Sequence, residues 1–225
     1  MRPTVLLVLL AAASANAQYS SFATGRSFNN PMSAMMDTMI QQSIERKLLE
    51  KALLKKYGDA PAPAAKVEVK PTPSAPLAAT DFKPGPHTVA AKFGDLAATP
   101  EDKRALAAAC AQILEGIEGQ PDFRKNNVAY GLAVLIGVSI QLVYGKTIPD
   151  AEAEQLARDL NDSLAATPNF RKLPAKDRQL LYETSVITAG LMVGLNQEGL
   201  KTGDASMQEK AKDMARQMLA MFMPK

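Results

Sequence analysis

Tryptophan is absent from this 225-residue chain, and cysteine and histidine occur once each, as Cys110 and His87. A lone cysteine forms no internal disulfide, so the fold must be held by its apolar core. Cys110 lies in the Ala-rich run RALAAACAQIL. There a single cysteine reads as a small buried hydrophobe, with an intermolecular disulfide or a nucleophile as the alternatives. Ser–His–Asp and Cys–His catalysis need a histidine base, and His87 stands in or beside a proline-rich segment. Zinc sites draw on several His or Cys ligands, which one of each does not supply. The phosphate-cradling pattern G-x-x-x-x-G-K-S/T, the dinucleotide pattern G-x-G-x-x-G and the EF-hand loop are also missing. The glycines of GLNQEGLKTGD (Gly194–Asp204) read as a helix end. No cofactor and no metal are expected.

Basic charge is scarce where a nucleic-acid-binding fold would need it. Residues 18–57 carry six Lys/Arg against three acids, whereas residues 99–225 carry fifteen against sixteen. The alkaline balance therefore comes from the N-terminal part, and no nucleic-acid partner is expected of the folded domain.

What is present begins with a leader. Arg2 supplies a short positive region, Val5–Ala13 (VLLVLLAAA) an apolar run, and Ala15-Asn16-Ala17 a small-residue cleavage site before Gln18. The run is shorter than the roughly 20 residues that span a bilayer. It therefore reads as a signal peptide over 1–17, cleaved after Ala17, with export to the periplasm or the medium expected. No transmembrane helix is expected once it is removed.

Pro31 then opens the run MSAMMDTMIQQSIERKLLEKALLKKYG, ending at Gly58. Met36, Ile40, Ile44 and Leu48 recur every fourth residue and Leu53 extends the stripe, which predicts an amphipathic helix with Arg46, Lys47, Lys51, Lys55 and Lys56 near its C-terminal end. The stripe is the candidate interaction surface. It can be covered by the chain's own bundle, by a protein partner or second copy through residues 32–57, or by an anionic membrane surface. Residues 59–88 follow as a Pro/Ala-rich linker, with seven prolines between Asp59 and Pro86. Its ATDFKP portion (Ala79–Pro84) carries an aromatic that can dock on the domain.

The domain proper is placed at 89–225. After the short segment TVAAKFGDLA, Thr99-Pro100-Glu101-Asp102 gives a cap, a proline at the first helical position and two acids, so a helix is predicted to about Gly119. A second helix runs from about Val128 to Gly145, a third from Asp150 to Pro168, a fourth from Pro174 to Gly203, and a fifth closes the chain. Strand signals are nearly absent. The fold class is all-α: a small bundle of about five helices preceded by the linker and the amphipathic helix.

Asn126–Gly145 is twenty residues without a charge. Its asparagines, serine, glutamine and two tyrosines fit a central bundle helix better than a membrane span. Ala133 and Gly137 on the second helix, and Gly190 and Gly194 on the fourth, are spaced to let these two helices cross closely. Glu183 enters the uncharged part of the fourth helix beside Tyr182. These two are the candidate catalytic residues, since a partly buried carboxyl there could act as a base. Asn127, Gln141, Asn196 and Gln197 read as interhelical hydrogen-bond partners. Asn161-Asp162-Ser163 matches a glycosylation sequon but falls inside a helix. PDFRK at 121–125 recurs as PNFRK at 168–172, each before an apolar helix, an echo too short to argue duplication.

ATDFKP, NNVAYGLAVLIGVSIQLVYG and LYETSVITAGLMVGLNQEG together resemble a family of exported bacterial proteins of unknown function. The resemblance covers roughly Leu77 to the C-terminus and implies an extracytoplasmic, all-helical protein, with no activity or site residue attached. Three functions are open: a non-enzymatic interaction or envelope module, a small-ligand binder or carboxylate-based hydrolase between the second and fourth helices, and a peripheral membrane binder through the basic helix.

Overall fold

A computed structural model describes residues 74–222. The leader, the Met-rich segment with Met36, Ile40, Ile44, Leu48 and Leu53, and the first part of the Pro/Ala-rich stretch lie outside the described residues. Within them the fold is all-α, as the pattern predicts. Its helices are α1 (Val89–Gly94), α2 (Pro100–Glu118), α3 (Val128–Tyr144), α4 (Asp150–Ala166), α5 (Pro168–Arg171), α6 (Ala175–Thr202) and α7 (Ala205–Phe222), preceded by a 3-10 turn at Leu77–Thr80.

The ends of the long helices follow local chemistry. Thr99 Oγ1 accepts the Asp102 N–H at 3.1 Å, Pro100 occupies the first turn, and the Asp102 carboxylate accepts the Thr99 hydroxyl at 2.8 Å. Helices α3 and α6 stop at Gly145 and Gly203, whose φ values of 66° and 73° are the left-handed termination that glycine adopts at little cost. Asp204 then caps α7 through the N–H groups of Ser206 and Met207. Two short helices, α1 and α5, arise inside the segments TVAAKFGDLA and PNFRK.

Helices α3 and α6 are the centre. Helix α6 lies against α3, α7 and α2, and α3 also meets α4 and α7. Their burial all round explains the uncharged runs: in α3 the residues from Leu135 to Ile140 are all buried, and in α6 those from Leu181 to Met192 are. No helix among the described residues is long and apolar enough to cross a membrane. Cys110 is fully buried, and burial pushes its thiol up to about 12 from an ordinary 9.0.

The small-residue crossing is placed differently from the spacing argument. The close approach of α3 to α6 is at Gly131, where an added Cβ would lie 2.8 Å from Tyr182 Cδ2. Gly190 faces α2 instead, where a Cβ would collide with Ile113 Cγ2, and Gly137 has only Ile148 Cδ1 at 3.7 Å. A helix surrounded on all sides has several faces that need small residues, and their spacing alone does not say which neighbour each one meets.

Candidate functional site

The most elaborated polar arrangement is a clasp. Residues 74–88 run as a strap over α4, α3 and α6, and side chains of the bundle hold it chiefly by its backbone. At the start, the Asp162 carboxylate accepts the Ser74 hydroxyl at 3.0 Å and the Ala75 N–H at 2.8 Å. Asn161 Nδ2 donates to the carbonyls of Ala75 and Pro76, both at 3.2 Å. Asn161 is fully buried, so the sequon asparagine is a structural residue of α4.

Asn127 is the hub. As the cap of α3 its Oδ1 accepts the Tyr130 N–H at 3.1 Å, while its Nδ2 donates to the Leu77 carbonyl at 2.9 Å and to Asp81 Oδ1 at 2.6 Å. Thr80 Oγ1 sits 3.0 Å from Asn127 Oδ1 and 2.9 Å from Asn161 Oδ1, and all three residues are fully buried. Asp81 takes a two-pronged contact from Arg124, at 3.1 Å from Nε and 2.6 Å from Nη2. That hydrogen bond raises the Arg124 guanidinium above its ordinary value. Phe82 donates its N–H to the Asn126 carbonyl at 3.0 Å and sets its ring 5.4 Å from that of Tyr182. Asn126 accommodates this turn with a φ of 57°.

Arg178, on α6, ties the strap to the α5 turn. Its three nitrogens donate to five backbone carbonyls, those of Leu173, Ala79, Asp81, Phe170 and Arg171, and its guanidinium lies 4.6 Å over the Phe170 ring. Burial lowers its pKa. Gln179 holds the end of the strap as a paired amide, accepting the Gly85 N–H at 2.7 Å and donating to its carbonyl at 3.0 Å. Next to it, Glu183 Oε1 meets His87 Nδ1 at 2.7 Å and Gln179 Nε2 at 2.6 Å.

Glu183 is 1% exposed and Tyr182 is buried, but the two candidates do not converge. Glu183 faces the strap. Tyr182 donates to Glu118 Oε1 at 3.0 Å and stands between the rings of Phe82 and Phe123. Burial, then the Glu118 charge, drives its hydroxyl pKa up. The contact between α3 and α6 at Tyr182 is tight against Gly131, so the polar cluster lies on the strap side of α6. Thr184, the next residue, has a buried hydroxyl without a hydrogen-bond partner. Among the described residues no group of three or more His, Cys, Asp and Glu is placed to hold a metal ion.

Sequence reasoning singled out Asn127 and the docking of ATDFKP. It did not single out Arg178, and it took Asn161 only as a sequon. Nothing local joined His87 to Glu183, which stand 96 positions apart. A family model described as a family of unknown function, DUF6683, matches residues 2–223. The chain belongs to that family. The match reaches over the Met-rich segment and most of the leader, further than the stretch from Leu77 onward that carried the resemblance. No curated protein and no solved structure matches this DUF6683 chain.

Proposed function

We propose that this protein is an exported, non-enzymatic helical module of the bacterial envelope or periplasm, whose bundle fixes the point from which the N-terminal segment reaches a partner. One observation carries the reading. The polar side chains best placed for chemistry are engaged in holding the strap: Glu183 through His87 and Gln179, Asn127 through Leu77 and Asp81, Arg178 through the carbonyls of Ala79 and Asp81. A strap anchored at Ser74 on α4 gives the preceding residues a defined origin, and the stripe Met36, Ile40, Ile44, Leu48 and Leu53 is their apolar recognition element. Export rests on the leader pattern at 1–17.

The test compares the chain from Gln18 with a version lacking residues 18–58, each bound to beads and exposed to envelope extract. Capture that depends on residues 18–58, with the shortened chain still unfolding cooperatively on heating, supports the reading. Identical capture by both refutes it. Peripheral membrane contact through the basic segment is separated by pelleting with anionic vesicles, where binding falls as salt rises.

A second reading, a small-ligand or carboxylate-based site, draws on the His87–Glu183 pair. A buried carboxylate at Nδ1 orients the imidazole and leaves Nε2 on the far side of a ring whose side chain is 52% exposed. That is the geometry of a positioned base. A His87→Ala change that abolished a measured ligand-binding signal without altering stability would favour it.

A further inference from the structure

We infer that the end of the bundle that carries the strap is a cationic face that docks on an anionic phospholipid surface. The inference rests on charge placement among the described residues. It goes beyond the reading above, which assigns recognition to residues 18–58.

Three stretches of chain meet at this end, tied together by backbone bonds. The strap joins the turn before α3 where the Phe82 N–H reaches the Asn126 carbonyl and Arg124 holds Asp81. It joins the α5 turn where Arg178 spans the carbonyls of Ala79, Asp81, Phe170 and Arg171. The two turns are the copies of the repeated motif, PDFRK at 121–125 and PNFRK at 168–172. Each copy buries its phenylalanine, Phe123 or Phe170, and leaves cations beside it at the surface.

The unpaired charge at this end is mainly of one sign. Lys83, Lys125, Arg171, Lys172 and Lys176 are exposed, and none of their side chains has an ion pair or hydrogen bond among the described residues. Most neighbouring acids are engaged: Asp81 with Arg124, Asp162 with Ser74, Glu118 with Tyr182 and Glu183 with His87. Asp122 and Asp177 remain, with Glu115 in the last turn of α2, so five unpaired cations stand against three carboxylates. Cations without partners meet a negative surface without first breaking a pair. The balance of fifteen basic to sixteen acidic residues over 99–225 hides this local excess.

The route of the chain adds to the same face. Ser74 enters at Asp162, near the end of α4 that leads into α5, so everything before it is tethered here. Residues 18–57 bring six Lys/Arg against three acids. Two cationic regions joined at one end can engage an extended anionic surface together, whereas a discrete acidic partner would have to match both. That favours lipid. No helix among the described residues is long and apolar enough to cross a membrane, so the contact is peripheral.

The test uses the chain from Gln18 and vesicles of phosphatidylcholine mixed with phosphatidylglycerol, with phosphatidylcholine alone as reference. One variant neutralises the strap end: Lys125→Gln, Arg171→Gln and Lys172→Gln. A second removes the same charge elsewhere: Arg104→Gln, Lys146→Gln and Lys201→Gln, all exposed. Helix α2 brings Glu118 to Tyr182 with its last turn, so Arg104 near its start lies toward the opposite end, as do Lys201 at the end of α6 and Lys146 after α3. Both variants keep residues 18–58, so failure here is distinct from failure of the N-terminal reading. At about fivefold per cation, the first variant should bind mixed vesicles about a hundredfold more weakly, and the second about as wild type. The inference is overturned if wild type does not pellet with mixed vesicles, or pellets equally with phosphatidylcholine alone. Equal loss in both variants, or loss in neither, overturns it too, as does retention on heparin without vesicle binding. Tryptophan is absent from the chain, so a single reporter gives orientation without background. Brominated lipid in the mixed vesicles should quench Ala175→Trp, at the strap end, and spare Tyr144→Trp, at the end of α3. Any other quenching pattern overturns the inference.

Discussion

Replacing Asn127 separates a helix cap from a clasp. The side chain caps α3 through Tyr130 N–H and holds the strap through the Leu77 carbonyl, Asp81 and Thr80. Asn127→Ala removes both roles. The lost cap costs about 1 kcal/mol. The Leu77 carbonyl is left without its donor, at about 1–3 kcal/mol. Thr80 can still donate to Asn161, and Asp81 keeps Arg124, so little is added there. The expected loss is about 2–4 kcal/mol, a large part of the 5–15 kcal/mol typical of a domain. Asn127→Asp discriminates, because aspartate caps as well as asparagine but offers no donor to Leu77 and sets a second carboxylate against Asp81, 2.6 Å from where the amide donated. If capping were the whole role, the aspartate variant would match wild type. If the clasp governs, it should be at least as unstable as the alanine variant. Urea unfolding followed by circular dichroism measures both, and amide exchange at Phe82 reports the strap directly. An aspartate variant as stable as wild type, with Phe82 still protected, would refute the hub.

Further outcomes follow from packing and burial. Gly190→Ala forces a methyl onto Ile113 Cγ2; overpacking of about 1–3 kcal/mol should exceed the helix-propensity gain of about 1 kcal/mol, and Ile113→Ala should relieve it in a double-mutant cycle. Absence of coupling between the two positions would disprove that contact. Thr184→Val keeps the shape and removes a buried, unpartnered hydroxyl, so thermal unfolding should rise by the equivalent of about 1 kcal/mol; a fall would mean the hydroxyl has a partner. With its thiol pushed from 9.0 to about 12 by burial, Cys110 stays protonated in the folded chain. Its contribution is whole below pH 9 and is lost as pH climbs to about 12, at no more than about 1.4 kcal/mol per pH unit, because the unfolded chain gives up the proton first. Cys110→Ala should flatten that part of the alkaline stability curve, and iodoacetamide should label wild type only in denaturant.

The limits of the five long helices were legible because they depend on neighbours in sequence. Thr99-Pro100, Asp204 after Gly203, and Gly145 are caps and stops whose chemistry acts within one turn. The central place of α3 and α6 could also be read, since an uncharged helix has to be covered on most sides. What only the tertiary structure decided was which buried groups meet. Thr80 finds Asn127 and Asn161 across 47 and 81 positions, and His87 finds Glu183 across 96. A polar residue in a helix carries no local sign of a distant partner, and a backbone carbonyl, the main target of Arg178, Asn161 and Gln179, carries no side-chain signature at all. The proline-rich composition of 59–88 argued against regular structure there. It was silent on the fact that residues 74–88, with only a short 3-10 turn at Leu77–Thr80, are fixed by side chains of the bundle that bond their backbone.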